Sequence, residues 1–153
     1  MTSYAQVHLE GTVSVPLATS EAFELFTPSG ERRWATGWAP SFPAPRPDET
    51  TPGTVFQTKH SGSVTWVVVD CEPHRSITYA NVSENDRAGL IRVSCEADDD
   101  GTTTANVTYE MTALTDDGNA RLHEFAAHYQ QFLAHWQSAI EDALSANGAQ
   151  RAT

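Results

Sequence analysis

Apolar and polar residues alternate along residues 7–15, where valine and leucine side chains are separated by polar or small ones. This period of two is typical of a β-strand with one buried face. Pro16 ends the strand. A short helix is predicted over 21–26, with Thr19 or Ser20 as its cap, and a further helical turn is predicted over 31–34.

Five further runs of strand-forming residues follow, separated by turn-forming residues. The predicted strands are 54–60, 64–71, 76–82, 88–97 and 102–114. Their connections are short, so neighbouring strands should pair antiparallel. The run 65–69 is apolar on both faces, which predicts a central strand that is covered on both sides over part of its length.

Between the first strand and the later ones lies a segment that resists regular structure. Residues 36–53 hold five of the eight prolines in the chain. This spacing predicts a long irregular loop, and loops longer than about 12–15 residues are often lids or binding loops.

The chain ends in a predicted long helix, over 119–146. Ten residues fall within an arc of about 120° when each residue turns the helix by about 100°. They are Leu122, Phe125, Ala126, Tyr129, Phe132, Leu133, Trp136, Ile140, Ala143 and Leu144. The helix would be about 40 Å long, with its polar face opposite and a stop at Asn147 and Gly148.

Composition narrows the function classes. The chain has 153 residues and a formal net charge of −11, with Lys59 as its one lysine. Nucleic acids and anionic membranes attract clustered basic residues, so neither is expected as a partner. The length predicts a single domain, 1–153, and the chain shows no export signal, so a cytoplasmic location is expected. Cys71 and Cys95 should lie on strands separated by a third, which predicts two free thiols.

Motifs for cofactor and metal chemistry are missing from the sequence. It holds no nucleophile elbow, phosphate-binding loop or dinucleotide fingerprint, so no cofactor is predicted. His123 and His128 are five residues apart, whereas a helical zinc site requires histidines four residues apart on one face. The sequence therefore predicts no metal site.

The order of elements resembles one known fold. One strand, two short helices, five antiparallel strands and a long C-terminal helix are similar to the α+β helix-grip fold of the START-like or SRPBCC superfamily. That superfamily includes Bet v 1-like, polyketide cyclase/dehydratase and Aha1-like proteins. Stretches that resemble its uncharacterised bacterial members are 31–34, 37–40, 53–56, 66–68 and 108–114. The resemblance spans residue 7 to about residue 144.

The resemblance implies a curved six-stranded sheet that wraps around the long helix, with an elongated apolar cavity between them. Ten candidate ligand-binding residues follow: helix face and strand parity place eight of them in that cavity, and Trp34 and Trp38 would close its mouth. The ten are Trp34, Trp38, Phe56, Tyr79, Ile91, Tyr109, Phe125, Tyr129, Phe132 and Trp136. An aromatic stripe is also what a plain core requires, and Trp34, Trp38 and Phe42 would serve either as a lid or as plugs over the core.

Three kinds of function remain open. The first is binding of a small hydrophobic molecule, lipid-, polyketide- or aromatic-like, by a monomer or homodimer. The second is cyclase or dehydratase chemistry, for which His60 and Tyr109 are the candidate acid or base groups, although His60 also fits a solvated turn. The third is an Aha1-like protein-interaction module. The acidic residues fall in turns and on outward faces, so the inferred cavity should be almost uncharged.

Overall fold

The computed structural model describes residues 3–59 and 62–152. Its six strands are β1 (Gln6–Val15), β2 (Val55–Thr58), β3 (Val64–Glu72), β4 (Ser76–Ser83), β5 (Arg87–Ala97) and β6 (Thr103–Ala113). Its helices are α1 (Thr19–Glu24), a 3-10 helix (Gly30–Arg33), α2 (Asp116–Ala127) and α3 (Tyr129–Ala152). Among the described residues, no helix is both long enough and apolar enough to cross a bilayer.

The strands form one antiparallel sheet in the order β1-β6-β5-β4-β3-β2. Alternation puts one set of side chains against the helices. Tyr79, Ile91 and Tyr109 stand side by side on that inner face because the register pairs Tyr79 with Ile91 and Ile91 with Tyr109. The α+β helix-grip fold predicted from the sequence is confirmed.

Both edges of the sheet are covered. At β1, the Ser14 amide donates to the Gln137 side chain at 3.0 Å, and the Gln130 amide group donates to the Glu10 carbonyl at 3.2 Å. At β2, Ser41 of the irregular loop pairs with Gln57. These contacts satisfy backbone groups that an open edge would offer to another chain, and they fix α3 and the loop relative to the sheet.

The C-terminal helix differs from its prediction in three ways. It begins earlier, where the Thr115 hydroxyl accepts a hydrogen bond from the Gly118 amide at 2.9 Å. It is divided at His128, whose backbone leaves helical geometry with φ of −114° and ψ of 19°. The predicted stop at Asn147 and Gly148 is wrong, because α3 continues to Ala152. The predicted face is nevertheless the one turned toward the sheet, with Leu122, Leu133 and Ile140 buried.

Two local predictions also fail. Ala18 precedes α1 without any side-chain cap, so neither Thr19 nor Ser20 caps that helix. The outer face of β3 is incompletely covered over 65–69, since Thr65 and Val67 are half-buried and Val69 is 48% exposed at an irregularity between Val68 and Asp70. The prediction of two free thiols is confirmed: Cys71 and Cys95 lie on β3 and β5, with β4 between them.

Candidate functional site

Aromatic side chains line the contact between the C-terminal helices and the sheet. Tyr109 of β6 lies at their centre, with ring centroids 5.3 Å from Phe125, 5.6 Å from Tyr129 and 5.8 Å from Phe132. Trp136 extends this group, 5.3 Å from Phe132. The edge-on and tilted ring geometries are those that aromatic pairs favour. The helical stripe predicted from the sequence therefore does face the predicted inner strand residues.

A second aromatic group lies under the irregular loop. Phe56 and Trp66 stack at 5.7 Å, and both pack edge-on against Tyr79, at 5.8 and 5.9 Å. Trp38 and Phe42 come from the loop and contact Phe56 at 6.1 and 5.6 Å. The loop is thereby fixed onto the inner face of β2, β3 and β4.

Trp34 contacts the first group from the opposite side. Its ring lies 5.2 Å from Trp136 and 6.0 Å from Phe26, and its indole N–H donates to the Leu25 carbonyl at 2.7 Å. Only 7% of Trp34 is exposed. Trp34 is thus an interior residue, whereas Trp38 and Phe42 are half-buried.

Sequence reasoning missed Glu31, which lies in the 3-10 helix that immediately precedes Trp34. Burial raises the pKa of its carboxyl group well above the ordinary value. In the described part of the chain, that carboxyl group has no hydrogen-bond or ion-pair partner. The side chain still keeps part of its surface accessible. The one sequence feature that marks Glu31 is its position three residues before buried Trp34. The burial of its carboxyl group contradicts the expectation of an almost uncharged interior.

The three interior tyrosines differ in how their hydroxyl groups are satisfied. Tyr79 donates to the Phe26 carbonyl and Tyr129 to the Val107 carbonyl, each at 2.7 Å. For Tyr109, no such bond is found within residues 3–59 and 62–152. Burial and then the charge of Glu31 raise the pKa of Tyr109 well above its usual range. The same two causes, in the same order, raise the pKa of Tyr79.

Another polar group of the inner face is also unsatisfied. The Asn81 side-chain oxygen is buried and has no partner within the described ranges. Asn81 pairs with Trp66 across β3 and β4, so it continues the row of inner-face residues beside Tyr79. Ile91 lies between the two inner tyrosines and is 3% exposed. The remaining candidate, His60, lies outside the described residues.

Open clefts on the surface lie elsewhere. One, of about 480 Å³, is lined by Phe23, Arg46, Glu49 and His74, together with neighbouring polar residues near the turn between β3 and β4. Another, of about 450 Å³, lies on the outer face of the sheet and includes Arg92. Both are shallow and largely polar, so neither has the enclosed apolar character of a typical small-molecule site.

Comparison with known proteins supports the fold but identifies no reaction. No protein-family model matches the chain, and no curated protein matches its sequence. An uncharacterised Rhizobium leguminosarum protein is 18% identical with a TM-score of 0.66, covering 92% of this chain and 97% of that one. Ara h 8.0201 is 16% identical with a TM-score of 0.64, covering 92% and 99%. Aha1 of Colwellia psychrerythraea, a dimer in solution, is 14% identical with a TM-score of 0.62, covering 88% and 96%.

Proposed function

We propose that the protein binds a small, largely apolar organic molecule between the inner face of the sheet and helices α2 and α3. The fold is shared with Ara h 8.0201 and with Aha1, so the fold alone does not select a function. The proposal rests on the side chains along this contact. They are mostly aromatic, with few polar groups among them, which is the usual composition of small-molecule sites.

The incomplete burial of the helical rings is the observation that carries the proposal. Phe125, Phe132 and Trp136 keep accessible surface, while Tyr129 and Leu133 on the same helical face are buried. All three half-buried rings lie beside Tyr109. An apolar molecule seated against them would remove this surface from water, and burial of apolar surface is the main driving force for such binding.

Substitution of Trp136 tests the proposal with a neutral fluorescent probe, N-phenyl-1-naphthylamine. We expect the wild-type protein to bind the probe, and Trp136→Ala to weaken binding about fivefold or more, since truncation of an aromatic anchor often costs more than about 1 kcal/mol. His135→Ala is the matched control, because His135 is adjacent in sequence but exposed. Circular dichroism and thermal unfolding would establish that both variants remain folded.

Native mass spectrometry of protein purified from its own host would look for the natural ligand. A co-purified apolar molecule that is lost in folded Trp136→Ala protein would support the proposal. Failure of the wild-type protein to bind the probe, or equal loss of binding in Trp136→Ala and His135→Ala, would overturn it.

A further inference from the structure

The side-chain oxygen of Asn81 is a buried acceptor that no donor within residues 3–59 and 62–152 reaches. Buried side-chain polar atoms nearly always have a partner, and an exception requires an explanation. The residue as a whole is half-buried, so part of it keeps accessible surface. An amide oxygen accepts hydrogen bonds and does not donate them. The partner that would complete this group is therefore an O–H or N–H donor.

The aromatic donors that flank Asn81 on the inner face already have acceptors. Trp66, directly opposite Asn81 on β3, donates its indole N–H to the Thr58 hydroxyl at 3.0 Å. Two residues along β4, Tyr79 donates its hydroxyl proton to the Phe26 carbonyl at 2.7 Å. Because both donors are bonded elsewhere, neither one completes the Asn81 amide.

On its other side, Asn81 borders a position that the sheet leaves without a side chain. There it is opposite Gly89 of β5. A Cβ on Gly89 would collide with the carbonyl group of Glu110, so the backbone itself requires glycine at this point. The next side chain along this row of the inner face is that of Met111 on β6. The amide of Asn81 therefore has no cross-strand neighbour on its β5 side.

Phe125 of α2 faces this position from the side of the helices. Its ring centroid lies 5.3 Å from the Tyr109 ring and 5.5 Å from the guanidinium carbon of Arg87. The register places Arg87 one inner-face row before Gly89, and Tyr109 one row after it. Phe125 therefore reaches across the row to which Gly89 and Asn81 belong, and its ring keeps accessible surface.

We propose that Asn81 accepts a hydrogen bond from a hydroxyl group of the ligand, so that the site selects phenols and alcohols. This inference rests on the proposed function and adds the chemical class of the ligand. A molecule seated against Phe125 would bring its hydroxyl group to the Gly89 position. Because the terminal torsion of an asparagine side chain is soft, the enclosed oxygen can turn toward a donor that arrives there. An ammonium donor is disfavoured, since the Arg87 guanidinium beside Phe125 repels it.

Naphthalene derivatives that displace N-phenyl-1-naphthylamine test this selectivity. The set is 2-naphthol, the similarly shaped hydrocarbon 2-methylnaphthalene, and 2-methoxynaphthalene, whose oxygen accepts but does not donate. We expect Asn81→Leu to weaken 2-naphthol binding about threefold to tenfold, the net effect typical of one hydrogen bond, and to change binding of the other two little. Asn106→Leu is the matched control, because Asn106 lies on the outer face of β6, opposite Thr12 and Ser94.

Two further measurements separate recognition by Asn81 from a merely structural role. Removal of an unpartnered buried acceptor relieves the cost of its desolvation, so Asn81→Leu should not lower the Tm. In the wild-type protein, 2-naphthol should shift the NMR signals of the Asn81 side-chain amide more than 2-methylnaphthalene does. Those signals are assigned by their disappearance in Asn81→Leu.

The outcomes distinguish this proposal from the one on which it rests. If the compounds bind but Asn81→Leu leaves the affinity for 2-naphthol unchanged, or weakens all three equally, the role of Asn81 is overturned and the apolar site stands. A marked fall in the Tm of Asn81→Leu would also overturn it, because the oxygen would then have a structural partner. If neither the probe nor any naphthalene binds, both proposals fail.

Discussion

Glu31 combines a well-ordered backbone with a carboxyl group that has no partner among the described residues. Its pKa is raised in the folded protein, whereas in the unfolded chain it keeps an ordinary value of about 4.3. As the pH rises above that value, the unfolded chain releases the proton while the folded protein still holds it. The contribution of Glu31 therefore destabilises the folded state progressively with rising pH, until the folded-state pKa is passed.

Replacement of this carboxyl group should stabilise the protein at neutral and alkaline pH. We expect Glu31→Gln to raise the free energy of unfolding at about pH 8, by about 1 kcal/mol for each unit by which folding raises the pKa of Glu31, because the amide group does not ionise. At a pH of about 4 to 5 the gain should be smaller, since there both states hold the proton. Urea unfolding at both pH values measures it, with exposed Glu21→Gln as the control. A gain that is equal at both pH values would contradict this account.

The same residue shows how far side-chain positions follow from sequence. Tyr79 and Tyr109 were predicted to face inward because strand alternation assigns every second residue to one face. By the same alternation its neighbour Glu110 faces solvent, where it lies 3.1 Å from His8. Glu31 lies in a single 3-10 turn, too short to carry any periodicity. Its burial, which raises the pKa of its carboxyl group, comes from tertiary packing that no local pattern encodes.

At the level of elements, close contact between β1 and α3 depends on Gly11. A Cβ at this position would collide with a methyl group of Leu133 and lie 3.5 Å from the Tyr129 ring. Gly11 also pairs with Val107, the residue whose carbonyl accepts the Tyr129 hydroxyl. The absence of a side chain at this point therefore allows α3 to approach the sheet closely enough to order Tyr129.

Gly11→Ala should crowd the end of the Leu133 side chain, which is buried and has little room to turn away. Overpacking typically costs about 1–3 kcal/mol, which exceeds the roughly 0.5–1 kcal/mol that alanine gains over glycine within a strand. We expect a net loss of stability in urea unfolding, and Thr12→Ala, on the exposed face, should have little effect. In the double variant that combines Gly11→Ala with Leu133→Ala, the loss of stability should be smaller than the sum of the losses in the two single variants. Strict additivity would show that the collision with Leu133 is unimportant.

The C-terminal helices show which features of an element the sequence encodes. Their apolar stripe predicted the face that meets the sheet, where Leu122, Leu133 and Ile140 are buried. The break at His128 was not predicted, since neither proline nor glycine marks it. There the His128 amide is shared between the carbonyls of Glu124 and Phe125, both at 3.2 Å, and its ring contacts the Glu124 carbonyl at 3.0 Å.

At the scale of the whole molecule, the two thiols report different opening events. Cys95 lies on β5 in the middle of the sheet, and burial raises its pKa to about 11. Cys71 is half-buried on β3, beside the irregular loop, and burial is the largest cause of its raised pKa. A thiol reacts as its thiolate, so both should react slowly in the folded state. Cys71 needs only the loop to move, whereas Cys95, which is 3% exposed beneath a surface cleft lined by Thr19 and His74, needs α1 or the sheet to move.

Thiol labelling should therefore proceed in two phases, which Cys71→Ser and Cys95→Ser assign to single residues. A molecule that binds only the folded protein stabilises it by an amount that grows with its concentration relative to its Kd. If the proposed interior site exists, N-phenyl-1-naphthylamine at about a hundred times its Kd should slow the Cys95 phase by up to about a hundredfold. The Cys71 phase should change less, because loop opening leaves the contacts around Tyr109 intact. Equal slowing of both phases would place the probe under the loop, against Phe56 and Trp66, instead of against α3.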